Sequence, residues 1–206
     1  MAKRPKQTNL PMVRAERAVF GQQMAMVYHV PALKPRAPGP WRCEADKLAW
    51  TDADTGLQCI IRRSTRGFLC GYVAVGADHP LFGFRGDAVP AGIVTVHGGL
   101  DYASPCDHRA PEETSICDVP DRHAPREGID QWWFGFSCGQ VTDLIPGDGA
   151  HTGEAQQLGL DQEYRDERYL FEQCTGLAAQ LAAAAERQAR PIANHPRRKR
   201  EREQRR

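Results

Sequence analysis

The sequence predicts an α+β fold, in which a small, mostly antiparallel sheet with long loops packs against one long C-terminal helix. Three observations predict it. Residues 57–63 (LQCIIRR) and 68–75 (FLCGYVAV) are β-rich runs joined by the turn Ser64-Thr65-Arg66-Gly67, the spacing of a hairpin. Residues 132–138 (WWFGFSC) form a further run dense in aromatics, which suits a half-buried pleated surface. Residues 164–188 carry Leu170, Cys174, Leu177, Leu181 and Ala184 at steps of four and three, one apolar stripe on a helix.

Taken in order, residues 1–40 read as a largely disordered basic and Pro-rich segment, since Pro31, Pro35, Pro38 and Pro40 interrupt any long element. A short helix is expected within it over 14–28, where Ala, Met, Gln and Glu gather. A single α+β domain follows over 41–190, then a disordered basic tail over 191–206. Residues 93–96 (IVTV) read as a short strand. In the aromatic run, period-two alternation puts Trp132, Phe134 and Phe136 on one face and Trp133 on the other. Asp161 is the expected N-cap of the long helix, and Gly176 would allow close packing on the sheet. Arg165, Glu172, Gln173 and Gln180 fall off the apolar stripe.

Charge is uneven along the 206 residues. Lys and Arg number 27 and Asp and Glu 26, but residues 18–186 hold 13 basic and 23 acidic residues. The chain therefore reads as an acidic body with two basic ends. The run Arg197-Arg198-Lys199-Arg200 suits weak contact with nucleic acid, although no aromatic residue is interleaved with it to stack on bases. No stretch reaches the ~18 apolar residues of a membrane span, and the N-terminus lacks the apolar core of a secretory signal. A cytoplasmic protein without a membrane partner is expected.

Seven cysteines are present: Cys43, Cys59, Cys70, Cys106, Cys117, Cys138 and Cys174. The odd count and the absence of any C-x-x-C pair argue against a disulfide scaffold and for a reducing compartment. Cys59 and Cys70 sit in apolar runs and read as small core residues. Cys106, His108, Cys117 and His123 form a Cys/His cluster in a Pro-rich loop, a ligand set that could hold zinc.

The most chemically suggestive stretch is Val96-His97-Gly98-Gly99-Leu100-Asp101. A histidine at a strand end can serve as a general base or metal ligand, and two glycines allow tight backbone geometry beside it. His97, Asp101 and Asp143 are the candidate catalytic residues. His79, Gly98, Gly99, Trp133 and Cys138 are candidates for binding a small ligand. Cys138 beside His97 would make a nucleophile–base pair. The sequence carries no P-loop, G-x-G-x-x-G after a strand, G-x-S-x-G or H-E-x-x-H, so the common nucleotide and hydrolase signatures are excluded.

Several of these pieces together carry a resemblance. They are Gly71-Tyr72-Val73, His79-Pro80-Leu81-Phe82-Gly83, Val96-His97-Gly98-Gly99-Leu100, Ile116-Cys117, Trp132-Trp133-Phe134-Gly135-Phe136 with Cys138 and Asp143, and Tyr164-Arg165-Asp166. Over roughly 57–185 the chain resembles a family of uncharacterised proteins of phages, prophages and bacteria with the pattern G-Y-V…H-P-L-[YF]-G…V-H-G-G-[LI]-T…W-W-F-G-F-D-C-x-H-x-G-D…Y-R-D. The resemblance implies a shared α+β fold and carries no activity over. Three positions depart from the pattern: Ser137 stands for its Asp, Gln140 for its His, and Asp101 for its Thr.

Three readings follow. The first is a phage-type accessory protein that binds a ligand or host macromolecule near the His-Gly-Gly loop, favoured by the departures at Ser137 and Gln140. The second is a hydrolytic, metal-assisted enzyme using His97, Asp101 and Asp143, which requires His97 and Asp143 or Cys138 to lie within a few ångström. The third is a nucleic-acid-associated protein that uses the basic tail.

Overall fold

Strand pairing starts earlier in the chain than its prolines suggest. The computed structural model describes residues 18–106, 110–117 and 131–189, the side chains of 23–25 and 189 excepted. Among them, β1 (Ala18–Val19), β2 (Gln22–Tyr28), β3 (Lys47–Thr51), β4 (Gln58–Arg63), β5 (Leu69–Gly76), β6 (Tyr102–Pro105) and β7 (Gln131–Ser137) form one sheet in the order β1-β2-β3-β4-β5-β7-β6. Every neighbouring pair is antiparallel. Helices α1 (Gly149–Gln157) and α2 (Glu167–Ala189) follow. The α+β class and the long closing helix are as the sequence predicts.

The N-terminal expectations need correction. Residues 18–28 are strand, not helix, and the folded unit begins at least at Ala18 rather than at 41. Phe20 and Gly21, both at positive φ, turn the chain between β1 and β2, and β2 then pairs with β3 through Met26↔Ala49, Val27↔Leu48 and Tyr28↔Lys47. That pairing overrides the local helical preference of Ala and Met. Residues 14–17 of the expected helix, and both basic ends, lie outside the described residues.

The two faces of the sheet divide as alternation requires. Trp50, Cys59, Ile61, Leu69, Val73, Val75, Phe134 and Phe136 join the α2 stripe in the main core. Met26, Tyr28, Ile60, Cys70, Tyr72 and Trp133 gather on the far face with Ile116. Leu170, Cys174, Leu177 and Leu181 are wholly buried, and each leucine contributes about 1.5–3 kcal/mol of apolar burial. The close approach of helix to sheet is made at Gly71, not Gly176. A Cβ on Gly71 would lie 2.6 Å from Cys174 Sγ and closer still to the Phe136 ring, whereas Gly176 faces open space.

Helix α2 starts later than its composition suggests. Asp166 accepts the Tyr169 N–H at 2.8 Å and caps it, which contributes ~1 kcal/mol; Asp161 is exposed in the segment before. Residues 93–96 are not a strand. Their apolar side chains pack on the core, but their backbone is served by α2: Gln180 Oε1 accepts from Thr95 N at 2.6 Å and Gln180 Nε2 donates to Thr95 O at 3.0 Å.

Buried charge ties the start of α2 to β3 and β4. Glu167 accepts from Ala45 N, Tyr164 donates to Glu44 at 2.5 Å, and Arg63 bonds both Glu44 and Asp46 at 2.8 Å. Burial first, and then the neighbouring Glu44, push the Glu167 carboxyl up to about 7, against the opposing pull of Lys34 and Arg63. In the unfolded chain this carboxyl returns to the usual range near 4.5. The folded protein then holds a proton between those values that the unfolded chain has lost, so stability falls as pH rises through that window. Thermal melts of the wild type should show this group's loss of roughly 1–3 kcal/mol between pH 5 and pH 8. Glu167→Gln, which keeps an acceptor for Ala45 N, should flatten the curve; parallel curves for the two proteins would contradict this assignment.

Candidate functional site

The site assembles where three segments end against the flank of α2. The run 93–96 delivers His97, whose backbone N–H is held by Gln173 Oε1 at 3.0 Å. Gly98 and Gly99 follow at φ 66° and 82°, and Gly99 N closes the turn on Val96 O at 3.0 Å. The positive φ favours glycine at 98, and a Cβ there would also push the end of the Gln140 side chain aside.

The second segment is the end of β7. Cys138 N donates to Leu69 O at 3.0 Å, which carries the strand's alternation far enough to bury the Cys138 side chain on the α2 face. The chain then turns through Gln140 to Asp143. Asp143 N donates to Gln140 O at 2.8 Å, and Gln140 N returns a bond to Asp143 Oδ2 at 2.9 Å. A parallel bridge to Glu163 pins this turn. His151 on α1 pins it again, with Nε2 donating to Asp143 O at 2.9 Å and Gln140 O at 3.1 Å.

His97 spans the gap between the segments. Its Nε2 lies 2.8 Å from Asp143 Oδ2 and its Nδ1 2.9 Å from the Tyr169 hydroxyl on α2. Facing a carboxylate oxygen, Nε2 carries the ring proton, and Nδ1 then accepts from Tyr169 O–H. Arg165 donates from Nε to Asp143 Oδ1 at 3.1 Å and lies over the Tyr169 ring, Cζ 4.8 Å from its centroid. The Asp143 side chain is 1% exposed and that of His97 11%. The carboxylate is thus enclosed, and the imidazole keeps a small exposed fraction.

Cys138 completes the group. His97, Cys138 and Asp143 each offer one ligand atom, and the three atoms lie within 4.8 Å of one another. Burial above all, and then the Asp143 charge, push the Cys138 thiol far above the usual cysteine range. Burial thus favours the thiol form, and the His97 ring nitrogens bond Asp143 and Tyr169 rather than Cys138. Burial likewise raises the Tyr169 hydroxyl, against the pull of Arg165.

The remaining candidates go elsewhere. Asp101 bonds Ser137 and acts on Cys70 and Tyr72, which belong to the face away from α2, so it is not a member of the His97 group. Trp133 is fully buried on that same face and lines no part of the site. His79 is fully used in holding the chain, with Nδ1 accepting from Leu81 N at 3.1 Å and Nε2 donating to Leu181 O at 2.9 Å. Its ring is a clamp between the loop after β5 and α2.

The expected zinc cluster also needs correction. Cys106 and Cys117 form a disulfide with Cα atoms 5.1 Å apart, so neither offers a thiolate; His108 and His123 lie outside the described residues. Lys47 supports this loop by donating to Glu112 O at 2.5 Å and Ser115 Oγ at 3.3 Å. Among the described residues no helix is long and apolar enough to cross a membrane.

Tyr169 and His151 escaped the sequence reading, and Arg165 and Gln173 entered it only as polar residues off the apolar stripe, with Arg165 also in the resembled pattern. Tyr169 and Gln173 sit one helical turn apart beside the Leu170 stripe, and that flanking polar row is the signal that could have found them. No protein-family model, curated protein or solved structure matches the chain.

Proposed function

We propose that the protein is a hydrolytic enzyme whose water-activating centre is the His97–Asp143 pair. The observation that carries this reading is the 2.8 Å bond between His97 Nε2 and the enclosed Asp143 carboxylate, with the second ring nitrogen turned to a hydroxyl. A buried carboxylate that orients an imidazole and stabilises its protonated form is the recurring support of a general base. A substrate water that takes the place of the Tyr169 hydroxyl meets the same Nδ1 lone pair. The proton it gives up rests on an imidazolium that Asp143 balances.

The non-catalytic reading drew its support from Ser137 and Gln140. The first of these departures is matched within the chain, because Ser137 bonds Asp101. Where the resembled pattern has Thr and Asp, this chain has Asp and Ser, and a hydroxyl still faces a carboxylate. Ser137 is therefore no argument for a lost activity. Gln140 rests against Gly98 and contributes through its backbone.

Chromogenic carboxyl esters and phosphoesters test the proposal. Turnover of at least one is expected, with kcat/KM falling about a hundred- to ten-thousandfold in His97→Gln while the circular dichroism spectrum stays unchanged. Equal rates for the wild type and His97→Gln, or no turnover of either ester class, would contradict it.

A further inference from the structure

We infer that His97 Nε2, Cys138 Sγ and Asp143 Oδ2 bind one zinc-class divalent cation. The reading of the site as hydrolytic supplies what the cation does, while its binding stands on the geometry alone.

The donor set is the first argument. An imidazole nitrogen, a thiolate and a carboxylate oxygen are the three ligand types zinc accepts, at about 2.0–2.3 Å. Those bond lengths place ligand atoms about 3.3–3.7 Å apart around a tetrahedral ion. The three atoms here lie within 4.8 Å of one another, so side-chain adjustments of about an ångström close the site. Three protein ligands leave the fourth position for water, the arrangement of catalytic rather than structural zinc.

The supporting bonds are the second argument. A ligating histidine holds its other ring nitrogen on an oxygen partner, and His97 Nδ1 already faces Tyr169 at 2.9 Å. Asp143 Oδ1 is occupied by Arg165 and its backbone carbonyl by His151, which leaves Oδ2 turned toward His97. The Gln140 N–H stays on Oδ2, so the cation replaces only the bond from Nε2.

Proton bookkeeping closes. His97 moves its proton from Nε2 to Nδ1 and donates it to Tyr169, with no net change. Cys138 releases its thiol proton to solvent and becomes the thiolate ligand. The cation would then meet two negative ligands beside the positive Arg165 and, with His97 serving as a ligand and no longer as the base, would itself polarise the water in the fourth position for hydrolysis.

The test is a cobalt(II) and zinc(II) titration of the chelator-stripped, untagged full-length protein. Stoichiometric binding is expected, with tetrahedral cobalt bands and a sulfur-to-cobalt charge-transfer band. Cys138→Ser should lose the charge-transfer band, and His97→Gln should weaken affinity at least tenfold. Tyr169→Phe should weaken it by about tenfold, as loss of an outer partner does. A variant with both Cys106→Ser and Cys117→Ser should bind as the wild type does. Urea midpoints for each variant separate loss of a ligand from loss of the fold.

Absence of cobalt binding, survival of the sulfur band in Cys138→Ser, or loss of binding in the Cys106/Cys117 variant alone would overturn the inference. Failure to bind cobalt together with His97-dependent hydrolysis by the metal-free protein would overturn the inference and leave the proposed function standing. Cobalt bound with the expected band, but with no ester turned over, would support the metal site and remove the proposed function.

Discussion

Arg63→Ala is expected to destabilise the protein by about 3–5 kcal/mol, read from chemical denaturation. Arg63 is 1% exposed. Its Nε bonds Asp46 and one Nη bonds Glu44, each at 2.8 Å. The other Nη holds Gly67 O at 2.9 Å and the Tyr164 hydroxyl at 3.1 Å. Asp46 is fully buried, and without the guanidinium it keeps, among the described residues, Lys34 alone at 3.2 Å to balance its charge. Most of the loss comes from stranding that carboxylate rather than from the pair's own attraction. Arg63→Lys should rescue little, because an ammonium cannot serve Asp46, Glu44 and Gly67 in one plane. A loss below about 1 kcal/mol for Arg63→Ala would place the pair among surface-like bridges and contradict this account.

Asp143→Asn is expected to lower kcat/KM about a thousandfold or more while the fold persists. The carboxylate accepts from Arg165 on Oδ1 and from His97 and Gln140 on Oδ2. An amide has one acceptor oxygen and one donor nitrogen in their place. The orientation that keeps the oxygen toward His97 turns an N–H against Arg165; the reverse turns an N–H against His97 and moves the ring proton to Nδ1. Either way the imidazole loses the carboxylate that balances its positive form. Steady-state rates on a responding ester, with circular dichroism as the control for folding, check this. A loss of less than about tenfold would show that Asp143 is a structural turn residue and not the partner of a base.

How much of the fold was legible depends on how local its causes are. Strands β4, β5 and β7 and helix α2 carry their periodicity in their own residues, and Trp133 and Phe134 part to opposite faces as alternation requires. Strand β3 was hidden because Asp46 and Lys47, both fully buried, look like surface residues until Arg63 and the 112–117 loop meet them. Strand β6 contains Pro105 and gets its extended form from pairing with β7. The apolar run 93–96 mimics a strand, yet side chains of α2 serve its backbone.

The same division holds in the site. His97 and Asp143 stood out because each ends a segment with a turn behind it. Asp101 was grouped with His97 because it is four residues away. The turn at Gly98-Gly99 reverses the chain before Asp101, whose N–H donates to Gly135 O at 3.0 Å and whose carboxylate faces the other side of the sheet. Tyr169 and Arg165 gain their roles from the register of α2 against β5 and β7, a tertiary relation that no local pattern carries.

The central claim is that the His97 ring is held between Asp143 and Tyr169, and nitrogen-detected NMR of the histidine rings tests it most directly. The account predicts, in the metal-free protein, a His97 ring proton on Nε2, an Nε2–H signal slow to exchange with water, and through-space contacts to the Tyr169 ring. That signal should vanish in His97→Gln, and the Nδ1 signal should shift in Tyr169→Phe. A His97 ring that averages both tautomers in fast exchange with solvent, indifferent to Tyr169→Phe, would contradict it.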